Sequence, residues 1–344
     1  MNAPRFETKR DAARARFLAN AGWGDARFEW RPGDASFRRY ARLQDDTRCA
    51  MLMDAPPLRE ALEQFVKCGE MLSAAGITTP QVLAQDSAQG FLLLEDFGDA
   101  TFTNLLDGGA EPGPLYALAT DVLITIRQRF DGQEPTLPLY DADARAEHVS
   151  IFLDWLWPEC MDSPATAAER SAFTTLWRDA LQQAPTLGHG FVHRDFHVDN
   201  LMRLDDRDGV AACGVLDFQD AGNGPLAYDL VSLLEDARRD VPADIRAACL
   251  ARYQNAAQQF SPEDIAAALA VHGGQRHCRV AGLWVRLWRR DGKPGYLKHM
   301  QRTLNHLDAS LRHPAMTNIQ SFLREKFPLE ARIRSINLET IANS

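Results

Sequence analysis

Apolar positions along this chain keep two rhythms, and the change from one to the other falls near residue 97. Before it, short apolar or alternating runs over 28–32, 38–43 and 49–53 are separated by the turn residues Gly33-Asp34 and Asp45-Asp46. Two more runs, 81–84 and 90–94, flank an Asp86-Ser87 turn, so this part predicts a small antiparallel sheet. Two helices accompany it. One covers 8–21, with Thr8 as N-cap, Ala12, Ala15, Leu18 and Ala19 as its apolar stripe, and Gly22 at its end; the other covers 58–75, with Leu58, Leu62, Phe65 and Leu72 at helical spacing. After residue 97 the period is helical over 115–130, 165–183, 227–237, 243–260, 262–288 and 296–312. The expected fold is α+β with two lobes, a small sheet-bearing lobe over 1–97 and a larger, mainly helical lobe over 98–344. From about residue 316 the pattern gives no clear element.

One stretch breaks the helical texture. His193, Arg194, Asp195 and Asn200 spell H-R-D-x-x-x-x-N, and about seventeen residues later the apolar run Gly214, Val215, Leu216 delivers Asp217. Phosphoryl transfer asks for a carboxylate near the acceptor hydroxyl, and for an amide oxygen and a second carboxylate to hold a metal against nucleotide phosphates. Asp195 fits the first role; Asn200 and Asp217 fit the other two, with the hard oxygen donors that suit magnesium. The bland reading of the same residues is a polar hairpin with Asp195 and Asn200 in its turn. The order of the two motifs favours chemistry. A rival signal, G-x-G-x-x-A over 222–227, matches a dinucleotide fingerprint, but the sequence after Asp240 is helical and lacks the parallel strand and ribose-binding carboxylate that such a unit needs.

With these residues in place, the chain resembles the aminoglycoside-phosphotransferase-like small-molecule kinases. More narrowly, G-D-A-S-F-R-R-Y at 33–40, M-D-A-P-P at 53–57, G-F-L-L-L-E-D-F-G-D at 90–99, H-R-D-F-H at 193–197 and R-R-D-G-K-P at 289–294 are similar to motifs of the bacterial cell-wall amino-sugar kinases. The resemblance implies a protein-kinase-like fold, ATP and Mg2+ as cofactors, and transfer to the anomeric hydroxyl of N-acetylmuramate or N-acetylglucosamine, giving the sugar 1-phosphate for peptidoglycan recycling. It places Gly33, Asp34 and Ser36 in a loop over the nucleotide phosphates, and Glu95 and Phe97 at a hinge whose backbone reads the base. His197 stands where protein kinases carry a lysine that faces the transferring group. The chain departs from the wider pattern in one respect: the third strand, Cys49-Ala-Met-Leu-Met53, has no lysine, and between residues 32 and 97 the one lysine is Lys67. Arg38 is the candidate replacement, since alternation sets Arg38, Tyr40 and Arg42 on one face and Arg39 on the other. Other readings remain: a kinase for an aminoglycoside, choline or homoserine, or a nucleotide-binding pseudokinase without turnover.

Composition narrows the partners. A formal net charge of −9 argues against nucleic acid, whose phosphates call for excess Lys and Arg. Six cysteines without metal spacing read as reduced thiols. The charged N-terminus lacks a signal-peptide core and no run approaches a membrane span, so the expected location is the cytoplasm and the expected partner a small sugar, with no protein partner evident. Arg279, Arg286 and Arg290 share one helical stripe. On the family resemblance this stripe, Arg290 above all, is a candidate for the lactyl carboxylate of a muramyl substrate, against the plain alternative of a solvated face. Trp155 and Trp157 read as core.

Overall fold

The computed structural model describes residues 4–31, 38–57, 62–132 and 136–343. Among these, the strands are β1 (Arg27–Trp30), β2 (Arg39–Gln44), β3 (Cys49–Asp54), β4 (Val82–Asp86), β5 (Phe91–Glu95), β6 (His189–Val192), β7 (Leu201–Arg203), β8 (Cys213–Val215) and β9 (Gly222–Pro225). By its internal contacts the chain forms two compact units, Met1–Leu105 with Asn200–Asp220, and Leu106–Asp199 with Ala221–Ser344.

The first unit holds a five-stranded antiparallel sheet in the order β1-β2-β3-β5-β4. Its register sets Leu43 opposite Ala50 and Leu52 opposite Leu93, so alternation gathers Ala41, Leu43, Ala50, Leu52, Phe91 and Leu93 on one face. The helix Pro4–Asn20 covers that face with Ala13, Phe17 and Leu18, and the Phe17 ring stacks on Phe91 at 5.6 Å. This corrects the sequence reading of the helix. It begins at Pro4, ahead of Thr8, and of the four residues in the expected stripe only Leu18 is buried. Phe17 carries far more apolar area than any alanine and sets the rotation of the helix. The second helix, Leu62–Ala74, buries Leu62, Phe65, Cys68 and Leu72 as the spacing predicts, while Leu58 lies outside the described residues. Phe65 meets Phe218 at 4.8 Å. A two-stranded hairpin, β7 with β8, completes this unit and is anchored where the Val215 N–H donates to the Thr78 carbonyl at 2.8 Å.

The second unit is mainly helical. Its longest helix, Pro262–Asp291, starts with a reciprocal capping box between Ser261 and Asp264 and stops at Gly292, whose φ of +65° suits a residue without a side chain. Trp284 and Val285 of this helix are buried with Phe152, Trp157, Phe173 and Trp177 in one continuous core, which confirms Trp157 as a packing residue and sets Trp155 against the same core. The tail adds the helices Thr317–Lys326, Leu329–Ile336 and Leu338–Asn343, and Phe327 closes on Trp157 at 5.7 Å. All six cysteines are free, and all but Cys49 are buried. Among the described residues no helix is long and apolar enough to cross a membrane.

Candidate active site

The predicted site residues fall into two groups, one in each unit. In the larger unit, β6 ends at Val192 and the chain turns through His193, Arg194 and Asp195. Two backbone donors hold the turn: the N–H groups of His193 and Arg194 donate to the Asp229 carboxylate at 2.6 and 2.9 Å. Asp229 comes from the helix Ala227–Leu234 and is only 2% exposed. Arg194 takes φ +78°, a conformation that costs a non-glycine residue energy and persists only where neighbours enforce it. Its guanidinium lies 4.6 Å from the centroid of the Tyr140 ring.

β9 pairs antiparallel with β6, so the G-x-G-x-x-A segment opens as a strand. The glycines serve close approach: a Cβ on Gly224 would lie 2.6 Å from the Tyr140 carbonyl oxygen, and one on Gly222 would lie 2.8 Å from the Tyr140 Cβ.

Burial pushes the Asp195 carboxyl up, but Arg279, then His197, Arg276 and Arg238, outweigh it and hold the group below its ordinary range. It is therefore ionised at neutral pH, the state a hydroxyl-accepting base needs. His197 is buried, and burial followed by Arg238 pushes its imidazole well below its usual value. Arg238 Nη1 lies 3.1 Å from His197 Nε2, so Arg238 donates to a neutral ring whose proton sits on Nδ1. His197 can offer that one N–H to a phosphate oxygen, but not a cation.

The second group lies in the smaller unit. Leu201 of β7 pairs with Val215 of β8, and one step beyond, the Leu216 N–H donates to the Asn200 carbonyl at 2.9 Å. Asn200 and Asp217 thus leave the same end of the hairpin. Asp217 has φ +58°, its side chain is 50% exposed, and Gln219 Nε2 donates to its Oδ1 at 2.9 Å. An amide-bearing residue and a half-exposed carboxylate leaving one end of a hairpin are the donor types that suit a divalent metal keeping several waters. Gln219 thereby orients Asp217.

Arg38 reaches the same end, with Nη1 4.0 Å from Asp217 Oδ1. Arg39 turns the other way and stacks over the Trp30 ring at 3.8 Å, as alternation predicts. Arg42 donates to Asp96 Oδ1 at 2.9 Å, to Asp99 Oδ2 at 2.6 Å and to the Gly98 carbonyl at 2.9 Å, which stakes down the segment after β5. The Glu95 carboxylate, at the end of β5, is engaged by Arg207, and the Phe97 ring packs so closely on Gly214 that a Cβ there would lie 2.7 Å away. Gly33, Asp34 and Ser36 lie outside the described residues.

The arginine stripe divides. Arg290 is 54% exposed and donates from Nε and Nη2 to the neighbouring Asp291 at 2.7 and 2.9 Å. Deeper in the same helix, Arg279 and Arg276 both bring positive charge to bear on Asp195.

The phosphotransferase enzyme family model matches residues 28–269 of this chain. A curated N-acetylmuramate/N-acetylglucosamine kinase of Caulobacter vibrioides is 34% identical, over 95% of this chain and 99% of its own length. One of the same name from Pseudomonas aeruginosa is 36% identical, over 88% of this chain and 90% of its own. Among solved structures, a choline/ethanolamine kinase family protein from Mesorhizobium loti superposes with a TM-score of 0.61 at 16% identity, covering 92% of this chain and 99% of that one. That likeness establishes the fold, a small antiparallel-sheet unit with a mainly helical one. The family match spans more than half of the chain and takes in Asp195, His197, Asn200 and Asp217, and this chain belongs to the phosphotransferase enzyme family and is a kinase.

Proposed function

We propose that the chain transfers the terminal phosphoryl group of ATP to the anomeric hydroxyl of N-acetylmuramate and N-acetylglucosamine, giving the sugar 1-phosphate. The observation that carries this reading is the match, at 34–36% identity over 88–95% of the chain, to relatives named for these two sugars. Asp195, held ionised by the surrounding arginines, would accept or orient the proton of the C1 hydroxyl as its oxygen attacks. The neutral His197 would donate its Nδ1–H to the transferring group.

Asn200 and Asp217 would hold Mg2+, with Gln219 keeping Asp217 in place, and Arg38 would steady the nucleotide phosphates in the role of the missing lysine. The metal, when bound, neutralises phosphate charge. Gly33, Asp34 and Ser36 would cover the phosphates, and the backbone at Glu95 and Phe97 would read the base. The setting of Asp195 argues against an aminoglycoside acceptor: those are polycations, and Arg279, Arg276 and Arg238 would repel them. Incubation with ATP, Mg2+ and each sugar tests the proposal. Phosphate should appear on C1 of both sugars and on neither methyl glycoside; transfer to a methyl glycoside would displace the anomeric assignment.

A further inference from the structure

The helix Pro262–Asp291 carries Arg276 and Arg279 three residues apart, on one side. Arg276 is 1% exposed, and its Nε and Nη1 have no hydrogen-bond partner among the described residues; Nε of Arg279 has none either. A guanidinium buried in this state is costly, and proteins keep it where a counter-anion arrives.

The carboxylates at hand do not supply one. Asp195 faces both arginines but is committed to the acceptor hydroxyl. Asp236, also in the field of Arg276, is pushed towards its neutral form by burial, and its Oδ2 is itself without a partner among the described residues. Arg238, beside His197, has its own counter-ion in Asp199 at 3.6 Å. The larger unit therefore sets two guanidinium groups with unpartnered nitrogens, those of Arg276 and Arg279, in the field of its acceptor base, a setting for an anion that comes with the acceptor.

We propose that Arg276 and Arg279 form a carboxylate subsite that receives the lactyl group of an acidic amino sugar beside Asp195. This rests on the sugar-kinase reading above and assigns its substrate preference. N-acetylmuramate carries the lactyl ether on C3, close enough to C1 for its carboxylate to reach an arginine that also faces the base. N-acetylglucosamine has only a hydroxyl there and leaves the charge unbalanced. Arg290, tied to Asp291, takes no part.

The test compares kcat/KM for N-acetylmuramate with that for N-acetylglucosamine in the unaltered protein, Arg276→Gln, Arg279→Gln and, as control, the exposed Arg289→Gln. A ratio cancels any effect of Arg279 on the ionisation of Asp195. It should fall about 10- to 100-fold in the first two variants, the worth of a charge-assisted bidentate contact, and stay unchanged in the third. On the unaltered protein, the methyl ester of N-acetylmuramate should lose a similar factor against the free acid, which decides the matter even if a variant fails to fold.

Equal losses on both sugars would assign the arginines to the transferring phosphoryl group and overturn the subsite while leaving the kinase reading intact. Equal use of acid and ester would overturn it as well. Transfer to neither sugar by the unaltered protein would remove the function reading, and the subsite with it.

Discussion

Substituting Asp229→Asn tests whether the turn at residues 193–195 is held in its working shape from behind. The Asp229 carboxylate accepts two backbone N–H groups, from His193 at 2.6 Å and Arg194 at 2.9 Å, and it is 2% exposed, so water cannot replace it. An asparagine keeps one acceptor oxygen but turns an NH2 towards the second donor. Loss of that bond inside the protein costs about 1–3 kcal/mol. For a unit of this size each kcal/mol lowers Tm by about 2–4 °C, so a fall of about 2–12 °C is expected in a thermal melt. The same loss relaxes the enforcement of φ +78° at Arg194, and the turn then populates conformers in which Asp195 is misplaced. If the whole cost falls on that equilibrium, kcat drops about 5- to 150-fold, at 1.36 kcal/mol per factor of ten. Nucleotide KM should stay within about twofold, because Asp229 touches none of the residues assigned to the nucleotide. The assay is ADP release with saturating sugar, beside circular-dichroism melts. A lowered Tm with an unchanged kcat would refute the positioning role and leave Asp229 as a stabilising residue alone.

Other expectations follow from the same geometry. Gln219→Ala removes the 2.9 Å bond to Asp217 and should raise the Mg2+ concentration needed for half-maximal rate several-fold, with most of kcat recovered at saturation; an unchanged Mg2+ titration would contradict the orienting role. Arg38→Ala should raise nucleotide KM about tenfold or more, while Arg39→Ala, which removes only the stack on Trp30, should not; equal effects would reverse the assignment. Because Asp195 is held below the ordinary carboxylate range, the acid limb of kcat/KM should lie below that range and move up in Arg279→Gln, and a limb that stays put would exclude Arg279 as the cause. Glu235 is buried, which by itself would raise its carboxyl, yet bonds from His277 and Arg246 bring it from 4.5 down to about 2. A depressed carboxyl stabilises the fold above its unfolded value and loses that contribution on acidification. The Tm gap between the unaltered protein and Glu235→Gln should therefore be constant above about pH 5. It should shrink as pH falls from 4.5 towards 2, and a gap that grew in acid would contradict the network.

Much of the fold was legible because its signals are local. β2, β3 and β5 read as strands from runs that alternate or stay apolar, and Leu62, Phe65 and Leu72 of the second helix fall inward as their spacing requires. Asn200 and Asp217 could be read together because a short apolar hairpin brings their backbones to one end. What failed depends on which side of an element faces in. In the first helix a stripe of alanines and a single phenylalanine compete, and hydropathy counts cannot weigh one ring against three methyl groups; Phe17 wins by area. The arginine stripe shows the converse. A charged side chain reads as surface, so the eye settles on Arg290, whereas Arg276, one of the most deeply buried side chains in the protein, passes unnoticed between His272 and His277. The tail was opaque because its three helices are short and owe their order to packing on Trp157 and its neighbours rather than to their own periodicity.

The most direct test of the central claim is phosphate transfer from ATP with Mg2+, measured on N-acetylmuramate, N-acetylglucosamine, an aminoglycoside and choline, with Asp195→Asn as the control. The account predicts transfer to the two amino sugars alone, blocked when C1 is methylated and abolished in Asp195→Asn while nucleotide binding persists. Transfer to choline or the aminoglycoside in place of the sugars, or undiminished transfer by Asp195→Asn, would contradict it.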